Sequence, residues 1–96
     1  MSGQKIVRYI IREGNMKVER LVIGDILEPG DKVLREAWDR KEWLDVIRVT
    51  AKFAIVQWNE VVEKRFSIII PDGEFRPCGK KDVWETTKYS AWRHID

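Results

Sequence analysis

LDVIRVTAKFAIVQWNEVVEKRFSIII, residues 44–70, decides how this chain is read. The stretch is rich in Val, Ile, Phe and Trp, and its apolar residues recur with a period close to two. Short polar breaks fall at Ala51-Lys52 and Asn59-Glu60. Alternation of that kind, interrupted by tight turns, predicts a three-stranded antiparallel meander. With Thr50 to Lys52 as the first turn, Val49 faces Phe53 and Ile47 faces Ile55. With Asn59-Glu60 as the second, Phe53 faces Phe66 and Gln57 faces Val62. Side chains alternate across a strand, so Ile47, Val49, Phe53, Ile55, Val62 and Phe66 share one face, extended by Ile68 and Ile70. That face is the expected core. The opposite face then carries Val46, Arg48, Ala54, Val56, Trp58, Val61, Glu63 and Arg65. A slip of one residue exchanges the two faces.

Working outward, Lys5 to Arg12 and Met16 to Ile23 are two β-rich runs joined by Glu13-Gly14-Asn15, a hairpin in which Gly14 or Asn15 takes positive φ. Pro29-Gly30 marks a turn, with Pro suited to the first corner and Gly to the second. Lys32 to Trp43 reads two ways. As a helix it places Val33, Leu34, Ala37, Trp38 and Lys41 on one side, with Asp31 as cap. As β structure it is a strand over Val33 to Trp38 and a charged loop over Asp39 to Glu42. Beyond Ile70, Pro71-Asp72-Gly73 is a turn and Glu74 to Arg76 has room only for an edge strand. Asp82 to Trp92 reads as a strand, through Val83, Trp84, Thr86, Thr87 and Tyr89, or as one helical turn near the end, and Arg93 to Asp96 are expected to fray.

Ninety-six residues make one domain with a modest core. Charged residues are 35% and hydrophobic residues 44%, and the net charge is +2. A strongly basic nucleic-acid binder shows a larger or more clustered excess. The basic bias of the first twenty residues (Lys5, Arg8, Arg12, Lys17, Arg20) reads as a solvated hairpin face. Cys78 is the only cysteine, so no internal disulfide forms. The opening residues carry no long apolar signal-peptide core, and the apolar runs are too short to span a bilayer as helices. The expectation is a cytoplasmic protein.

Val46-Ile47-Arg48-Val49-Thr50-Ala51-Lys52, then Val56, then Arg65-Phe66-Ser67 and Gly73, resembles the small SH3-like barrel proteins of bacteriophages. Those carry a similar V-x-x-V-T-x-K run, a following strand, an R-F pair and a glycine turn, and a PGDKV entry like that of Pro29 to Val33. The match covers roughly the last two-thirds of the chain and excludes the N-terminal hairpin. Most of that family has no known function, so the resemblance implies a fold: all-β, mainly antiparallel, a small SH3-like barrel with an added N-terminal β-hairpin. It also favours the extended reading of Lys32 to Trp43 against local propensity.

Catalytic patterns are thin. There is no G-x-S-x-G, P-loop or dinucleotide glycine pattern. His94 is the single histidine, and one Cys with one His makes no zinc site. Cys78 with His94 as nucleophile and base requires the two within hydrogen-bond reach. No catalytic residue, metal or cofactor is expected. Five tryptophans in so short a chain are more informative. Tryptophan supplies contact area and is enriched at interaction hot spots, although a short chain also uses it for core volume. The candidate partner-binding residues are Trp58 with Arg48 and Arg65, on the face away from Phe53 and Phe66, and Trp38 and Trp43, which flank Asp39-Arg40-Lys41-Glu42. Burial of Trp58 beneath the hairpin, under Tyr9 or Val18, is the structural alternative. The leading expectation is a non-catalytic module that binds a protein. The alternative is a small barrel that binds nucleic acid or a nucleotide, with Trp58 stacking and the two arginines on phosphate.

Overall fold

The computed structural model describes residues 8–70, 75–78 and 87–95. Those residues contain seven β-strands and no helix: β1 (Ile10–Glu13), β2 (Met16–Arg20), β3 (Lys32–Ala37), β4 (Arg40–Val49), β5 (Phe53–Gln57), β6 (Glu63–Ser67) and β7 (Thr87–His94). All neighbours are antiparallel, in one sheet of order β1-β2-β7-β3-β4-β5-β6. The sheet is not closed into a barrel, which corrects that part of the expected architecture. It curls instead, and short bridges span the concave side. Ile26 pairs with Ile69, the Leu27 N–H donates to the Ile68 carbonyl at 3.0 Å, and the Phe75 N–H donates to the Tyr89 carbonyl at 3.3 Å.

The meander exists, but the register differs from the trial one. Phe53 opposes Ser67 and Ala54 opposes Phe66, one residue away from the expected pairing. On the other side Val46 opposes Val56, and the register then shifts so that Arg48 opposes Ile55 and Val49 opposes Ala54. A bulge of this kind adds a residue to one strand and bends it. The faces therefore exchange in part: Val46, Ala54 and Val56 enter the core and Ile47 is exposed, whereas Phe66 and Ile70 lie in the core and Val49 and Ile68 pack against it, as expected. Phe66 is fully buried as expected, though its neighbours are different. Its ring stacks on Phe75 (centroids 4.4 Å apart, planes 9° apart) and meets Tyr89 edge-on at 5.3 Å.

Lys32 to Trp43 is extended. The expected charged loop shrinks to a two-residue turn, Trp38-Asp39, and Arg40 to Glu42 belong to β4. Six cross-strand pairs, from Lys32 with Asp45 to Ala37 with Arg40, hold this hairpin in register. The β1–β2 hairpin also forms, with Gly14 at φ 62° in its turn. Pro29-Gly30 turns as expected: the Asp31 N–H donates to the Glu28 carbonyl at 3.0 Å, and Gly30 has φ 97°.

The largest departure is the C-terminal strand. β7 inserts between β2 and β3, and so joins the N-terminal hairpin to the rest. Arg93 and His94 do not fray; they pair with Glu19 and Val18. Both faces of β7 are covered. Tyr89 and Ala91 join Leu21, Leu27, Val33, Leu44 and Phe66 in the main core. Trp92 joins Val18 and Leu34 in a second cluster, flanked by Ile11, Met16 and Trp43. The expected Pro71-Asp72-Gly73 turn, Glu74, Trp84 and Asp82–Thr86 lie outside the described residues.

Candidate functional site

The candidate residues divide into separate places. Arg48 and Arg65 both oppose Ile55, one from each neighbouring strand, and share the face of Phe53. The Arg48 guanidinium pairs with Glu63 at 3.1 Å, and Arg65 lies over the Phe53 ring at 4.9 Å. Trp58 belongs to the other face, partly buried against the main core, with Tyr89 at 6.4 Å. The expected triad of Trp58, Arg48 and Arg65 is therefore not assembled: the exchange of faces that put Val56 in the core carried Trp58 with it. The hairpin alternative is not realised either. Tyr9 is exposed, and Val18 belongs to the second cluster.

Trp58 has other cations. The Lys64 ammonium sits 4.0 Å from its ring centroid and the Arg35 guanidinium 5.3 Å. Cations are drawn to an indole face by its quadrupole. Arg35 is also bonded to Glu42 at 2.9 Å. A base stacking on Trp58 has to displace Lys64. The sequence missed Lys64 and Arg35 because their approach to Trp58 depends on the observed register and on the curl that brings β3 toward the end of β5.

Trp43 and Trp38 separate as well. Trp43 is partly buried and meets Trp92 edge-on, at 6.0 Å and 70°. Trp38 stands alone at the tip of the β3–β4 hairpin, with 84% of its surface exposed. Its φ is 53°, in the left-handed region. A bulky side chain is rarely found there, and holding one costs of the order of 1–3 kcal/mol. Below the tip, Glu36 and Lys41 oppose each other with their charged ends 4.0 Å apart.

A groove of about 610 Å³ runs along β7, lined in part by Leu34, Glu36, Lys41, Thr87, Ser90 and Trp92. Two pairs within it are matched locally: Trp92 Nε1–H donates to Ser90 Oγ at 2.8 Å, and Glu36 faces Lys41. Cys78 is bonded through its N–H to Arg65 beside β6, whereas His94 pairs with β2, so the two are held by different parts of the sheet. Among the described residues no cluster of His, Cys, Asp and Glu could hold a metal, and no helix is long and apolar enough to cross a membrane.

Electrostatic investment is concentrated at the other end of β3. Arg93 clasps Asp31 through two 2.8 Å bonds, Nε to Oδ1 and Nη2 to Oδ2. Nη2 also donates to the Ile26 carbonyl at 2.9 Å, and Asp31 accepts the Glu28 N–H at 2.8 Å. The hydrogen bonds that Arg93 donates to Asp31 raise the Arg93 pKa further above its ordinary value, outweighing burial. Nearby, Arg8 bridges Glu19 and Asp25 at 3.1 and 3.3 Å. Burial alone would raise the Asp25 pKa, but the Val22 N–H and Arg8 outweigh it and hold the carboxyl below its ordinary value.

These features define an all-β domain in which Arg8, Lys32, Arg35, Lys41, Arg48 and Arg93 pair with carboxylates, while Lys64 and Arg65 lie over aromatic rings. No protein-family model, curated protein or solved structure matches the chain.

Proposed function

We propose that this chain is a non-catalytic binding module that engages a protein partner, with the Trp38 hairpin tip as the contact. The observation that carries the proposal is an indole 84% exposed at a backbone angle that tryptophan disfavours. Folding gains little from an exposed ring, and Gly or Asn would suit the turn better. A backbone outlier of this kind, on a hairpin held by a full ladder, points to a role outside folding. The partner reading is favoured over phosphate binding because Arg35, Lys41, Arg48 and Arg93 face carboxylates. A pocket in a partner protein, apolar within and mixed in charge at its rim, complements such a tip.

The proposal keeps the likeness to the small SH3-like proteins of bacteriophages as its view of origin. The test compares the wild type with Trp38→Gly in capture from the native host, alongside titration with mixed single- and double-stranded oligonucleotides at low salt. A captured protein retained by the wild type and lost by the variant is expected. Oligonucleotide binding that weakens steeply with salt would move the reading to nucleic acid.

A further inference from the structure

The two edges of the sheet are treated differently. The β6 edge is covered: the Ser67 N–H donates to Arg76, the Cys78 N–H donates to Arg65, and Pro77 bridges Phe66. The β1 edge carries no such cover among the described residues. An open edge presents a row of unmade backbone bonds and is a template for another strand.

Which groups point outward follows from the ladder. The Arg20 N–H donates to the Tyr9 carbonyl at 2.8 Å, and Tyr9 opposes Arg20 in the same register that pairs Ile11 with Val18 and Glu13 with Met16. Bonding alternates along an antiparallel strand, so Tyr9, Ile11 and Glu13 bond inward to β2. Ile10 and Arg12 then offer their N–H and C=O groups to the open side. The side chains of Tyr9 and Ile10 at this edge are 56% and 55% exposed.

We propose that β1 pairs antiparallel with β1 of a second copy, centred on Ile11. Charge selects this register. Pairing Ile10 with its counterpart sets Arg8 against Arg12 twice, and pairing Arg12 with its counterpart sets two arginines directly opposite. Like charges in those positions are destabilising. Centring on Ile11 avoids both. It sets Ile11 against Ile11, Ile10 against Arg12, and Tyr9 against Glu13, whose carboxylate can accept from the phenol. About four backbone bonds form, two in each Ile10–Arg12 pair. On one face the Ile11 pair continues the apolar stripe of Val18, Leu34 and Trp92 across the two-fold axis. On the other, the aliphatic stem of Arg12 covers the exposed Ile10. The interface is isologous, so it closes at two copies.

The test uses the full chain and sedimentation equilibrium up to about 1 mM, the weak end of specific association. The expected result is a concentration-dependent dimer. Arg12→Pro removes an outward N–H and none that bonds β2, so it should remain folded, by tryptophan fluorescence, and sediment as a monomer. The register has its own readout. Opposed residues that bond to their own hairpins lie close enough for a disulfide across the new interface. In a Cys78→Ser background, Ile11→Cys should cross-link in air at least about tenfold more than Ile10→Cys. A wild type monomeric throughout, a dimer that survives Arg12→Pro, or equal cross-linking by the two cysteine variants would each overturn the proposal.

Discussion

Asp31 and Trp38 stand at the two ends of β3, and each reverses the usual preference of its residue type. Asp31 is 3% exposed and Trp38 is 84% exposed. Charged groups are almost never buried unless paired, and tryptophan is strongly buried on average. At the first end the burial is made tolerable by a two-pronged arginine and a backbone N–H, and the product is a joint between the Glu28–Asp31 turn and β7. At the second end nothing described compensates the exposure or the positive φ. One end spends polar chemistry on the fold; the other carries a cost that folding does not explain. On the proposed function, the difference separates residues present for stability from a residue present for recognition.

The core between the two ends sets the scale. Phe66 is fully buried between Phe75 and Tyr89, and Phe66→Ala should cost about 4 kcal/mol, as truncation of a buried aromatic does. Urea unfolding measures it, and a midpoint that hardly moves would mean that the concave side is loosely packed. The stability end comes next. Arg93→Ala leaves the Asp31 carboxylate buried without its cation, and a loss of about 3 kcal/mol is expected, toward the lower end for broken buried pairs because Arg93 is partly exposed. A loss below about 1 kcal/mol would erase the contrast by making the clasp ornamental. The Trp38 end should show the opposite sign. Trp38→Gly removes an exposed ring from a left-handed position and is expected to stabilise the protein by about 1 kcal/mol. A destabilised variant would show that the indole packs usefully in solution, and would weaken the functional reading of the tip.

Much of this architecture was legible in the sequence, and the errors have physical causes. Turn chemistry located the Gly14-Asn15 and Pro29-Gly30 corners, and alternation located the strands of the meander. The faces came out partly reversed because a bulge between Val46 and Arg48 changes the parity of β4 without changing its composition, and the β5–β6 pairing is shifted by one residue. β7 was undervalued for a related reason. Tyr89 and Ala91 serve one cluster and Trp92 the other, so the strand lacks the clean alternation of a half-buried one. Its pairing across the N-terminal hairpin is a long-range fact that no local pattern encodes. The candidate site suffered from the same parity error, which separated Trp58 from Arg48 and Arg65. Trp38 was identifiable as a candidate, but its exposure and φ follow from the two-residue turn, which the charged run Asp39 to Glu42 disguised as a loop.

The smallest expected effect probes the polar joint from the side of Asp25, where Arg8 and the Val22 N–H hold the carboxyl below its ordinary pKa. A lowered folded-state pKa means that the unfolded chain takes up the proton first as the solution is acidified. The stability that Asp25 supplies is therefore complete above the ordinary carboxylate pKa and is lost as pH falls through the lowered folded value. Asp25→Asn keeps an oxygen for the Val22 N–H but removes the charge that Arg8 faces. Wild type should exceed the variant near neutral pH by less than about 1 kcal/mol, because Arg8 is well exposed and the pair is screened. The gap should close in acid. Added salt should narrow it at neutral pH, whereas the deficit of Arg93→Ala, whose carboxylate is buried, should respond less. A gap that stayed constant from neutral pH into acid would show that Asp25 acts through shape alone. The electrostatic account of this end would then rest on the Arg93–Asp31 clasp.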